Sequence, residues 1–344
     1  MRPKVIIIFV LALLFLGAPA AYAQISGAAA IDPVNFVITP EAPAPNQQVT
    51  VEAQGVGTFL GDAMITWQQN GKTVSSGIGQ KVFSFTAGSL GMPTRVHVVI
   101  NSSVQGTIAR DFTFIPTTIN LLWEADTTVP PFYRGKALYS AGSSFKVLAL
   151  PQVVVSGATV SPSALSYQWS VNDTPVVDQS GKGRTVLQVD GNQLHTDEEI
   201  SVAVYLNSSH IGDADITIPA VDPNLVLYVK DPLRGVLFDQ ALPSSVSLTG
   251  QEITLQAEPY YFSNDSKESG SLSYAWTLNG SSTSGPDSAN GTLTLRQAGA
   301  GEGAASLGVQ LQNMDSSRIV QAAQAALQIF FGGQTTSSGP TFGI

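Results

Sequence analysis

Ser273-Tyr274-Ala275-Trp276-Thr277-Leu278-Asn279-Gly280 reads as a short alternating strand that runs into a turn. Ser166-Tyr167-Gln168-Trp169-Ser170-Val171-Asn172 is a second copy, and Ile65-Thr66-Trp67-Gln68-Gln69-Asn70-Gly71 a third. In each, Asn follows Trp by three residues. The three Trp positions lie 102 and 107 residues apart, about the length of one β-sandwich domain. Residues two apart on a strand share a face, so Tyr274, Trp276 and Leu278 point together, as do Tyr167, Trp169 and Val171. This places Trp67, Trp169 and Trp276 at the centres of three cores.

Working outward, each Trp strand has the same neighbours in the same order. Val49-x-Val51-x-Ala53, Phe145-x-Val147-x-Ala149 and Ile253-x-Leu255-x-Ala257 precede it as strands of period two. Phe83 and Phe85, Leu187 and Val189, and Leu293 and Leu295 follow it. Then come Val96-Val98-Ile100, Ile200-Val202-Val204 and Leu307-Val309-Leu311, closed by turns at Asn101, Asn207 and Asn313. The expected fold is all-β: three tandem immunoglobulin-like β-sandwich domains at 31–116, 117–220 and 221–331. Pro40, Pro43 and Pro45 interrupt the first strand, which marks it as an edge strand or one that switches sheets. Residues 316–331 (SSRIVQAAQAALQIFF) have helix propensity, yet the repeat needs a closing strand there, and we read a strand.

Composition narrows the class of job. Of 344 residues, 43% are hydrophobic and only 12% charged, about half the usual charged share. Exposed strand faces are therefore rich in hydroxyls and amides. The net charge is −9, or −11 without Arg2 and Lys4. No basic cluster offers itself to phosphates, which speaks against nucleic acid. There are no cysteines, hence no disulfide, thiolate metal site or cysteine nucleophile.

Residues 1–23 read as a signal peptide. Arg2 and Lys4 form the charged start, Val5 to Leu16 the apolar run, and Ala21-Tyr22-Ala23 the cleavage site. The other reading is an uncleaved membrane anchor, and that is the one membrane contact the sequence allows. The expected location is outside the cytoplasm: extracellular, on the cell surface or periplasmic. Residues 332–344, rich in Gly, Ser and Thr, read as a disordered tail.

The Trp strands, the Val-x-Val-x-Ala strands and the Asn turns together resemble the immunoglobulin-like and polycystic-kidney-disease-type (PKD) domains found in tandem on bacterial surface and secreted proteins. The resemblance covers residues 31–331. It departs from antibody domains in lacking the disulfide, and from the PKD pattern in having Trp-x-x-Asn where that pattern has Trp-x-Phe-Gly-Asp-Gly. It implies a non-catalytic adhesive or structural module of the cell envelope.

Chemistry-bearing residues are sparse. His97, read as outward-facing on its strand, and His195 and His210, read as loop residues, share no metal-ligand spacing. Asp197-Glu198-Glu199 reads as a solvated acidic loop. No Gly-x-Ser-x-Gly elbow occurs, so no catalytic residue, metal site or cofactor is expected. Aromatics concentrate in the openings of domains two and three, at Trp123, Phe132, Tyr133, Tyr228 and Phe238. They are expected either to fill the domain junctions or to form a ligand platform. Tyr260-Tyr261-Phe262 ends a strand, and alternation sends Tyr261 away from the other two. Trp123, Tyr133, Tyr228 and Tyr261 are thus the candidate contacts for a partner, an envelope protein or a glycan. The open alternatives are a carbohydrate-binding module and an accessory subunit of a pilus or secretion apparatus.

Overall fold

The computed structural model describes residues 33–55, 58–248, 250–299 and 301–332. The leader reading at 1–23 and the tail reading beyond Gly332 lie outside them. Each of three sandwiches pairs a three- or four-stranded sheet with a four- or five-stranded one.

In the first, β1 (Val34–Thr39), β2 (Gln48–Gly55) and β5 (Val82–Thr86) form one sheet. The facing sheet runs β4 (Lys72–Ile78), β3 (Met64–Gln69), β6 (Thr94–Ser102), β7 (Gly106–Phe114). A short helix, α1 (Phe59–Asp62), joins β2 to β3. The second sandwich repeats this order. β8 (Thr118–Ala125), β9 (Ser144–Gln152) and β15 (Val186–Asp190) make one sheet. The other contains β12 (Ser166–Val171), β16 (Glu198–Leu206) and β17 (Ser209–Ile218), with the short edge pieces β13 (Thr174–Pro175) and β14 (Gly181–Lys182). A small hairpin, β10 (Val154–Val155) and β11 (Ala158–Thr159), sits between β9 and β12.

In the third, β19 (Gly235–Val236), β18 (Asn224–Asp231), β21 (Glu252–Tyr260) and β24 (Thr292–Arg296) face β20 (Ser245–Ser247), β26 (Ala322–Phe331), β25 (Gly303–Asn313), β22 (Leu272–Leu278) and β23 (Ser281–Thr283). β20 joins β26 in parallel, so the first strand of this domain divides between the two sheets. The closing segment is a strand from Ala322 onward, with turns before it. Three separate cores result.

The repeated motif explains itself in atoms. Trp67, Trp169 and Trp276 are at most 2% exposed. Each sits opposite a Val on the neighbouring strand: Val98, Val202 and Val309. A buried indole N–H needs an acceptor. Each donates to the carbonyl of a residue shortly before the next strand of the opposite sheet: Gln80 at 2.7 Å, Arg184 at 2.8 Å and Ser288 at 3.1 Å. The Trp therefore both fills the core and ties the two sheets together.

The Asn three residues on does a second task. Asn70, Asn172 and Asn279 have φ of 50°, 48° and 51°, a left-handed turn that Asn tolerates. Each backbone N–H donates to the carbonyl of Arg95, Glu199 or Ser306, and each side-chain Oδ1 accepts the N–H of that same residue, all at 2.7–2.9 Å. The turn is thereby clamped to the neighbouring strand in all three domains.

Two stability outcomes follow. Trp276→Ala should cost about 3–5 kcal/mol in chemical denaturation, as large aromatic deletions do. Asn279→Gly, which keeps the turn and loses only the side-chain acceptor, should cost about 1 kcal/mol, whereas Asn279→Ala should cost about 2 kcal/mol because it adds left-handed strain. Equal losses for Gly and Ala would show that the φ constraint carries no weight.

Candidate functional site at the domain junctions

The groups that sequence patterns leave unexplained collect where one sandwich meets the next. In each case the end of a domain carrying its last strand meets the connections between second and third, and sixth and seventh, strands of its successor.

Between domains one and two, Gly91 (φ 71°) lies so close to Val154 that a Cβ there would stand 2.5 Å from the valine Cβ. Thr117 bridges the pair: its N–H reaches Pro43 O at 3.4 Å and its hydroxyl donates to Ile211 O at 2.6 Å. His210 is on β17 rather than in a loop, because the turn at Asn207 and Ser208 is tight enough for pairing to begin at Ser209. Its ring packs on Tyr205, and its two nitrogens face carboxylates from both domains: Asp213 at 2.8 Å and Glu41 at 3.7 Å. These groups border an open cleft of about 680 Å3.

Between domains two and three the contact is polar and buried. Thr128 N–H donates to Phe262 O and Tyr261 N–H to Thr128 O, both at 2.8 Å, a piece of backbone pairing between domains. The Asn264 amide donates to Asp126 Oδ1 at 2.7 Å. Ser140, Ser143, Ser263, Asn313 and Gln321 are fully buried here. The Gln321 carboxamide spans the junction. Its Nε2 donates to Ser140 Oγ (3.0 Å) and Ala141 O (3.2 Å) of domain two. Its Oε1 accepts from Ser263 N–H (3.2 Å) and Asn313 Nδ2 (2.9 Å) of domain three. All four hydrogen-bonding positions of one amide are used, and two exist only while the domains are docked. Arg318 beside it is held by Asp315 at 2.6 Å and Asp265 at 3.2 Å. Hydrogen bonds from Ser317, with Arg318 adding to them, hold the Asp315 carboxyl below its usual range. A depressed carboxylate stabilises at neutral pH, and that contribution is lost as pH falls through its folded value.

The aromatic expectation is corrected here. Trp123 is 9% exposed and belongs to the core of domain two, with the Lys136 ammonium 3.5 Å above its ring. Tyr228 is buried on the outer face of its sheet against Phe238 and Tyr260, its oxygen 3.0 Å from the Tyr260 hydroxyl. Burial raises the Tyr260 hydroxyl well above its ordinary pKa, and this contact adds to it. Neither ring fills a junction. Phe132 is 96% exposed, and Tyr133, 44% exposed, folds over Gly135. Tyr261 does reach a junction, through its backbone. At φ 63° it turns the chain, so strict alternation fails: Tyr260 faces outward to Tyr228, while Phe262 enters the core. Among the described residues no ring contact gathers Trp123, Tyr133 and Tyr261 into one platform.

The acidic-loop reading is corrected too. Glu198 opens β16 and is 1% exposed. Its carboxylate accepts from the Tyr139 hydroxyl (3.0 Å), the Asn192 amide (2.6 Å) and the Asn172 amide (2.6 Å). A buried carboxylate with this many donors persists because water is replaced donor by donor. Burial first, and then this carboxylate, raise the Tyr139 hydroxyl far above its ordinary pKa.

His97 pairs with Asp111 at 2.8 Å and His195 with Asp222 at 3.4 Å. Among the described residues no group of three His, Asp or Glu is placed to hold a metal ion. A second, smaller cleft of about 440 Å3 lies against the polar junction, lined by Glu124, Asp126, Lys146, Gln188 and Asn264 among others.

No protein family matches the chain, and no curated protein does. Solved structures similar to it include the three N-terminal domains of the bacteriophage RB49 Highly Immunogenic Outer Capsid protein (Hoc), 13% identical over 87% of this chain and 98% of that one, with a TM-score of 0.26. Fibronectin(III)-like modules of Clostridium thermocellum CbhA are 11% identical over 54% and 94%, TM-score 0.26. A structure described as bearing on host cell surface retention of a 1.5-MDa bacterial ice-binding adhesin is 12% identical over 86% and 96%, TM-score 0.23. Overlaps this low carry no argument about activity. The assignment as tandem immunoglobulin-like sandwiches rests on the strand order and the three cores described above.

Gln321→Leu keeps the volume and removes four hydrogen bonds, leaving buried partners unsatisfied. It should destabilise the junction by about 2–4 kcal/mol. Calorimetry should show domains two and three unfolding together in the wild type and separately in the variant; coincident transitions in both would refute the latch.

Proposed function

We propose that the chain is an exported, non-catalytic module of the cell envelope, one that holds binding surfaces at a fixed geometry. The observation that carries this reading is the Gln321 junction. A buried amide satisfied from both sides makes domains two and three behave as one body, which a spacer or adhesive array requires and a pair of loosely linked domains lacks. Burial raises the Tyr139 and Tyr260 hydroxyls, local hydrogen bonds hold the Asp315 carboxyl down, and desolvation lowers the Lys136 ammonium above Trp123; none of these four is a nucleophile beside a base. Among the described residues, no helix is long and apolar enough to cross a membrane.

The partner proposed is an envelope protein, bound through loops or a free strand edge such as β4 or β7. A second reading is glycan binding. It is favoured by the cleft beside the junction, where Glu124, Lys146, Gln188 and Asn264 place carboxylate, ammonium and amide groups within one sugar-sized space. The resemblance to PKD-type arrays of bacterial surface proteins fits either.

In-cell crosslinking of the tagged protein, followed by mass spectrometry, separates the two. A reproducible protein partner captured from one face supports the envelope-assembly reading. Recovery with wall polysaccharide, together with saturable calorimetric binding that Lys146→Ala abolishes, supports the glycan reading. Turnover of an envelope substrate by the purified protein would overturn both.

A further inference from the structure

Domain three shows what the edge beside a last strand accepts. Asn279 clamps Ser306, and Ser306 lies opposite Gln328 on β26. The far side of Gln328 is occupied. β20 runs parallel to β26 there, Gln328 N–H donating to Ser244 O at 2.9 Å and Leu248 N–H to Phe330 O at 2.7 Å. Val246 and Leu248 turn inward onto the core, while Ser245 and Ser247 stay exposed. The same clamp finds the matching place in domain one: Asn70 holds Arg95, and Arg95 lies opposite Thr113 on β7.

There the edge is bare. Arg95 turns its backbone groups to Asn70, so alternation gives the ladder bonds of β7 to Phe112 and Arg110, opposite Val96 and Val98. Asp111 and Thr113 hold their N–H and C=O groups away from β6. The segment that would cover them, residues 40–47, contains Pro40, Pro43 and Pro45, which have no N–H to give. Its contact lies farther on, where Thr117 N–H reaches Pro43 O at 3.4 Å. Arg110 caps Ala109 O at 2.8 Å and has a further contact, so the open stretch begins at Asp111. On β17 the matching stretch carries Asp213 and Asp215, two acids that guard an edge. On β7 the one acid, Asp111, is paired with His97 at 2.8 Å. This stretch opens on the cleft of about 680 Å3. On its inner side Ile38 and Phe112 are only half-buried, at the margin where Phe36 meets Phe112 across the two sheets. On its other side stand Ala203 and Tyr205 of domain two. The charged groups lining it are Glu41, Asp111 and Asp213 against His210; Arg95 lies outside the lining.

From this geometry we infer that domain one takes up an extended peptide segment of a partner protein, added parallel to β7 at Asp111 to Thr113. The added strand does for domain one what β20 does for domain three. Its backbone meets the unpaired groups of Asp111 and Thr113. Alternate side chains are apolar and close over Ile38 and Phe112, as Val246 and Leu248 do in their own domain. The others are cationic, because the cleft offers them three carboxylates. The site rests on the envelope-partner reading and gives it a surface. Failure of peptide binding would leave that reading to another surface, whereas peptide binding with no partner captured in cells would overturn that reading alone.

The probe is the capped synthetic peptide Lys-Val-Lys-Val-Lys-Val, titrated into the purified full chain by calorimetry. It should bind one to one, and Glu-Val-Glu-Val-Glu-Val should not. Methylating its valine nitrogens should abolish binding, since the inward residues of β20 are the ones in hydrogen-bonding register. By hydrogen exchange, the Asp111 and Thr113 amides should exchange fast in the free protein and slowly with peptide bound. Thr113→Pro removes an N–H that no ladder bond uses; it should leave the melting temperature unchanged and weaken binding about tenfold or more. Should that variant fold poorly, Asp111→Lys should weaken the lysine peptide about tenfold by charge alone. No binding at millimolar peptide, or binding indifferent to valine methylation and to both variants, would overturn the inference. So would Asp111 and Thr113 amides already slow in the free protein: release on dilution would put a second copy at the edge, and release on deleting residues 1–32 the chain's own start.

Discussion

Each sandwich depends on a buried indole that has to find a carbonyl. An aromatic ring at the centre of a sandwich supplies apolar area, but its N–H cannot be left without an acceptor. In all three domains the solution is the same: the carbonyl lies just before a strand of the facing sheet, at Gln80, Arg184 and Ser288. One side chain then sets both the spacing of the sheets and the position of the segment that crosses between them. The Asn three residues later fixes the hairpin end against the adjacent strand. Without cysteine, these two contacts stand where a cross-sheet disulfide would otherwise hold such a domain.

The second level of organisation is polar. An apolar junction would let two domains slide, because dispersion contacts are not directional. A carboxamide with four fixed partners is directional, so Gln321 defines an orientation as well as an affinity. The junction between domains one and two is built differently, from a close approach at Gly91, the Thr117 bridge and a histidine between two carboxylates. The chain thus combines a tightly latched pair with a more solvent-exposed joint.

How much of this was legible in the sequence follows from the range of each interaction. Strand order and the three cores are written in period-two patterns, the strand at the end of domain three follows from the repeat against local helix propensity, and the Trp-x-x-Asn spacing marks the turn directly. What escaped is set by partners distant in sequence. Gln321 sits in an Ala- and Gln-rich run whose sequence raises only the choice between helix and strand, and its partners Ser140 and Ala141 lie about 180 residues away. Glu198 reads as one of three loop acids until Tyr139 and Asn172 are brought to it. Tyr261 reads as the next step of an alternating strand, and one left-handed φ reverses the assignment of its neighbours. Trp123 and Tyr228 read as junction aromatics because aromatics at boundaries usually pack there, yet each is absorbed within its own domain.

The central claim is that domains two and three form one body held by buried polar contacts. Residual dipolar couplings from backbone amides of the two domains test it most directly. The account predicts a single alignment tensor, equal in magnitude and orientation for both, with domain one allowed to differ. Separate or averaged tensors for domains two and three would contradict it.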